Sequence, residues 1–150
     1  MSRTIFDAAG GDDAFLRLAH AWHEQVLADP IVSHAFAHGY HPNHTERLAA
    51  YWAEALGGPP TYTTSMGNET GVIKMHSGNG EHVEMDERAQ VCFAAALDDA
   101  GLPDDARLRS TLKAYFRWST ERMAAYPHSP DDVPDGLPLY RWSWDGAQHS

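Results

Sequence analysis

The sequence predicts an all-α fold, on three observations. Apolar residues recur at helical spacing over four long stretches, glycine and proline punctuate those stretches, and no run reads convincingly as an alternating β-strand. Gly10-Gly11 interrupts any earlier helix, and Asp12 or Asp13 can cap the next one. That helix carries Phe15, Leu18, Ala19, Trp22 and Val26 and runs to about Asp29-Pro30. After a short connection, Ile31 to Phe36, and a polar turn, His38 to His44, a second amphipathic helix is marked by Leu48, Tyr51, Trp52, Ala55 and Leu56. Gly57-Gly58-Pro59-Pro60 stops it.

From Thr61 to Gly80 the pattern is irregular, with only Val72 to Met75 able to form about a turn of helix; so long a loop in a small domain suggests function. A third helix is expected from about Met85 to Ala100, closed by Gly101 and Pro103. A fourth begins at Asp104 or Asp105 and carries Leu108, Leu112, Tyr115, Phe116 and Met123. Pro127, Pro130, Pro134 and Pro138 exclude a regular helix from the tail, where Trp142 and Trp144 stand two apart as anchors to the body. The expected organisation is one helical domain over residues 1–126 and a packed extension over 127–150.

With 43% hydrophobic and 21% charged residues, the 150-residue chain has the composition of a folded protein. A net charge of −10 argues against nucleic acid, whose phosphates it would repel. No stretch approaches the roughly 20 apolar residues that cross a bilayer, and no leader is legible at the N-terminus, so a cytoplasmic protein without a membrane partner is expected. The single cysteine, Cys92, lies in the apolar run Val91-Cys92-Phe93 and reads as an inert core thiol. Ten histidines against eleven lysines and arginines point toward metal, haem or proton chemistry.

Three groups of residues carry a resemblance. They are Phe6-Asp7-Ala8-Ala9-Gly10-Gly11, then Glu46-Arg47-Leu48 followed by Gly57-Gly58-Pro59 and Tyr62, and finally Lys74-Met75-His76. Over about Ile5 to Met123 the chain resembles a group II truncated haemoglobin. The resemblance implies a two-over-two helical sandwich around one b-type haem, with His76 on the iron. Its position before Ser77-Gly78-Asn79-Gly80 suits a ligand presented by a short segment, although a lone histidine there is ordinarily a surface residue.

The opposite haem face is then expected to be lined by His23, on the apolar stripe with Ala19 and Val26, and by His44, Leu48 and Tyr51 of the second helix, His44 standing four residues from Leu48 and seven from Tyr51. Either imidazole could donate to a bound ligand, exchange protons or itself bind the iron; its bland role is that of a core histidine satisfied by a carbonyl. His23 stands where the family usually has tyrosine, and Ala89 where it has a large tryptophan, which implies a more open and more basic pocket. Phe36 matches the aromatic residue that packs on the porphyrin, Trp22 is a wall, and Arg47, Lys74 and Tyr62 are candidates for the propionates.

The resemblance implies reversible binding of a diatomic ligand: dioxygen, nitric oxide or carbon monoxide. An alternative is peroxidase or nitric oxide dioxygenase activity, for which a separate reductase would be needed, since no Gly-x-Gly-x-x-Gly occurs. A second alternative is a non-haem divalent site built on His20/His23 and His34/His38.

Overall fold

The computed structural model describes residues 3–36, 42–78 and 83–148, with backbone alone for 35, 36 and 148. The first helices are α1 (Ile5–Ala9), α2 (Gly11–Ala28) and α3 (His44–Ala55), with the 3₁₀ segment Val32–Phe36 between the latter two. They are followed by α4 (Thr61–Ser65), α5 (Glu69–Met75), α6 (Val83–Asp99) and α7 (Ala106–Met123). Helix α2 packs on both α3 and α6, and α6 packs on α7, so two helix pairs lie face to face. The all-α class is the one expected from the pattern of apolar residues, and the two-over-two arrangement is the one that the resemblance implies.

Helix α2 begins where Gly10 turns into the left-handed region, φ 119°, so Asp12 and Asp13 sit inside its first turn rather than capping it. There they complement the helix dipole. Ala14, Phe15, Leu18, Ala19, Ala21, His23 and Val26 form its buried stripe. At its exit the Asp29 carboxylate accepts the amides of Ile31 and Val32 and pairs with Arg88 of α6, setting the course of the 3₁₀ segment. Arg88, then the Val32 and Ile31 amides, hold the Asp29 carboxyl down to about 2.

The core is aromatic where the helix pairs meet. Phe93 and Phe116 stack at 4.3 Å, and Trp52 presents its edge to Phe93 at 5.4 Å and to Trp22 at 5.8 Å. Cys92 is buried beside them with its thiol pKa raised by desolvation. Helix α3 leaves the core through Leu56-Gly57-Gly58. Gly58 donates to the Ala53 carbonyl at 2.7 Å, and a Cβ there would lie 2.7 Å from the Phe6 ring and 2.8 Å from that carbonyl. The glycine pair thus closes the α3 exit against α1.

Two stretches differ from the sequence reading. The stretch 61–80, read as a loop with one turn of helix, contains both α4 and α5. Tertiary bonds outweigh weak local propensity here. The Thr63 amide and hydroxyl both donate to the buried Glu54 carboxylate, and the Asn68 side chain caps α5 by accepting from Gly71. In the tail, where no strand was expected, β1 (Arg141–Ser143) and β2 (Gly146–Gln148) form a short antiparallel hairpin. Trp142 packs its ring on Tyr115 and Trp118, and the Trp144 indole donates to the Arg3 carbonyl at 2.8 Å. No helix among the described residues is long and apolar enough to cross a membrane.

Candidate functional site

His76 is the C-cap of α5, and its Nδ1 lies 2.8 Å from the carbonyl oxygen of Val72, one turn back. With Nδ1–H donating to that carbonyl, Nε2 carries the lone pair, the tautomer a metal ligand requires. The imidazole is exposed. Met75, the residue before it, is a large apolar side chain with 68% exposure. An exposed imidazole with an available ring nitrogen beside an exposed apolar side chain suits the face of a flat apolar cofactor, so the donor set fits a haem.

His23 and His44 come together across the α2–α3 contact, with ring centroids 5.0 Å apart and planes tilted by 52°. His23 is buried, and desolvation pulls its pKa below the ordinary 6.5; His20 adds to the fall and Glu24 opposes it. Leu48, one turn along α3 from His44, is partly buried against the core. Ala89 is buried on α6, and its carbonyl accepts the Trp22 indole at 3.2 Å, tying the residue beside His23 to the opposite helix pair. Trp22 itself packs edgewise on Trp52 and Phe116, as part of the core. The Phe36 side chain lies outside the described residues.

Tyr51 goes elsewhere. Its spacing placed it on the face of His44 and Leu48, but its hydroxyl donates at 2.5 Å to Glu69, and its ring packs edgewise on Tyr62. Burial and the adjacent carboxylate raise its pKa well above the ordinary value. Tyr62, expected at the haem rim, is buried. Arg47 lies over the Tyr62 ring and donates to the Met66 carbonyl at 2.8 Å. Lys74 is exposed, with its ammonium 3.8 Å from the Asp135 carboxylate.

Sequence reasoning missed Glu69. This carboxylate is 2% exposed at the first position of α5 and is met by Tyr51 from α3 and by Arg122 Nε from α7 at 3.0 Å. Arg122 also donates to the Pro138 carbonyl and lies over the Tyr140 ring. The only local signal was an acidic residue after Asn68 at a helix start. Among the described residues no three His, Cys, Asp or Glu stand close enough to hold a metal ion, and His38 of the non-haem alternative lies outside them.

The bacterial-like globin family model matches residues 4–117. Among solved structures, the chain is similar to the haemoglobin of the thermophilic phototroph Chloroflexus aurantiacus, at 27% identity over 81% of this chain and 98% of that one, TM-score 0.68. It is similar to the thermostable haemoglobin of the actinobacterium Thermobifida fusca at 28% identity, over 90% of this chain and 100% of that one, TM-score 0.67. It shares its fold with the group II truncated haemoglobin of Bacillus anthracis at 20% identity, over 85% and 95% of the two chains, TM-score 0.69. No curated protein sequence matches it.

Removing one partner of a buried ion pair strands the other charge. Arg122→Met is expected to lower unfolding free energy by about 3 kcal/mol, the lower end of the buried-pair range because Arg122 reaches solvent; urea denaturation measures it. The depressed pKa of His23 has a separate consequence. Between its folded value and 6.5 the unfolded chain binds more protons, so its contribution to stability is complete above 6.5 and is lost as pH falls. His23→Leu, with His20, Glu24 and His44 intact, should flatten the fall in stability between pH 7.5 and pH 5.5, followed by urea denaturation.

Proposed function

The chain belongs to the bacterial-like globin family and is a haem-binding globin, and from that premise we propose that it takes up a diatomic ligand, dioxygen foremost, at the iron of a b-type haem held by His76. The observation that supports this reading is the His76 Nδ1 contact with Val72, which favours the tautomer in which Nε2 can ligate. A bound haem supplies an iron centre with one face for the protein ligand and the other for a small molecule. The remaining work falls to side chains.

His23 and His44 are placed together on α2 and α3, and in this reading they supply the polar groups of the ligand face. A neutral imidazole there donates one hydrogen bond and keeps one acceptor nitrogen, whereas a phenol hydroxyl in the same place would donate without a comparable basic site. In this reading Leu48 and Ala89 line the pocket, Ala89 leaving room that a larger side chain would fill. Lys74 and Arg47 are the cations assigned to the propionates; Arg47 reaches them by giving up its bond to the Met66 carbonyl. Tyr62 and Tyr51, being buried, serve the structure beneath the site.

The closeness of the two imidazoles favours a second reading, peroxide turnover. One imidazole can accept a proton while its neighbour, protonated, donates one. Electrons would come from an organic donor or a separate reductase.

Titration of the apoprotein with haemin tests the haem reading. A Soret band saturating at one equivalent, shifted by carbon monoxide after reduction, is expected; no Soret band at any ratio would sink it. His23→Phe should speed dioxygen dissociation about tenfold, the loss of one hydrogen bond of about 1.4 kcal/mol. Stopped-flow mixing measures that rate, and steady oxidation of an organic donor by peroxide would instead favour the enzymatic reading.

A further inference from the structure

Helix α5 has seven residues, too few to hold a conformation unaided, yet its C-cap is His76. What fixes it lies largely beyond residue 117, the end of the family match. The Thr70 hydroxyl donates to the Pro134 carbonyl at 3.0 Å and accepts the Leu137 amide at 2.9 Å. Lys74 is 3.8 Å from Asp135. Just past His76, the Gly78 amide donates to the Tyr126 carbonyl at 3.1 Å, and a Cβ on Gly78 would lie 2.9 Å from the Pro130 ring. The tail therefore touches α5 at its start, in its last turn and two residues after His76.

From the inside, Glu69 ties the start of α5 to α3 and α7. The same arginine that meets Glu69 donates to the Pro138 carbonyl at 3.2 Å and lies 4.5 Å over the Tyr140 ring. One side chain thus joins the inner anchor to the outer one. Val133 adds a buried apolar contact from the middle of the same segment.

The geometry points to the segment from Tyr126 to Tyr140 as a strap that positions His76, with Thr70 as the positioning residue through which it grips α5. This rests on His76 being the iron ligand. Thr70 touches no reacting group; it sets where the helix bearing the imidazole sits and how freely it shifts. A looser α5 would let the imidazole tilt and would weaken its hold on the iron.

Thr70→Val keeps the side-chain shape and removes both bonds, whereas Thr70→Ser keeps the hydroxyl. The first readout is hydrogen exchange of the full-length apoprotein. The amides of His76, Ser77 and Gly78 should exchange about a hundredfold faster in Thr70→Val, as expected for two lost hydrogen bonds in a local opening, with α2 and α7 unchanged and Thr70→Ser matching the parent. The second is the iron–histidine stretching band of the reduced haem protein, expected to shift or broaden in Thr70→Val and to return in Thr70→Ser. Unchanged exchange overturns the strap, and faster exchange with an unmoved band overturns its role in positioning. A parent protein that takes up no haem defeats the haem reading instead, while the exchange measurement still decides whether the strap holds α5.

Discussion

A carboxylate removed from water must be compensated at once, and the placement of the proximal side depends on how this protein compensates one at Glu69. The group is 2% exposed. Desolvation of such an ion costs several kcal/mol unless charge and hydrogen bonds are returned to it. Tyr51 returns a short hydrogen bond from α3 and Arg122 a charged one from α7. Three elements are thereby fixed at one point, and α5 is oriented from its first residue. Seven residues at about 1.5 Å each put the far end roughly 10 Å away, where His76 stands. The direction of the imidazole thus depends in part on an ion pair it does not touch, together with the tail contacts along α5.

The ligand side is built on the opposite logic. Beneath it lies an apolar floor of stacked and edge-on rings, Trp22, Trp52, Phe93 and Phe116, spanning both helix pairs. Close packing of that kind resists displacement. On it stand two imidazoles, from α2 and α3, whose spacing follows from the packing of those helices. In the proposed reading, rigid apolar support on one side and a charge-anchored short helix on the other would hold one flat cofactor between unlike walls.

The long helices were legible because a 3.6-residue period repeated over three or more turns outweighs local ambiguity. The ends of α6, Val83 and Asp99, lie within two residues of the expectation, and Asp105 caps α7 as one of its two candidates. His23 and His44 read as inward-facing from spacing alone, and their rings lie together. Helix α4 and the first turn of α5 were illegible because threonine, serine, asparagine and glycine give no helical signal, only Val72 to Met75 being read as about a turn; bonds to Glu54 and Glu69 stabilise them instead. Tyr51 was misplaced for the same reason. Its partner is 18 residues away, which no local period reports. The hairpin at 141–148 offered only three-residue strands, too short for alternation to be distinguished from chance.

The central claim, that His76 presents its Nε2 to the iron, is tested most directly by chemical rescue. His76→Gly leaves a gap the size of an imidazole, and the reduced variant is examined by optical spectroscopy with and without added imidazole. The account predicts that the variant alone loses the five-coordinate histidine spectrum and that millimolar imidazole restores it. A variant that keeps that spectrum without imidazole would contradict the account and pass the iron to another histidine, with His23 and His44 the first to replace.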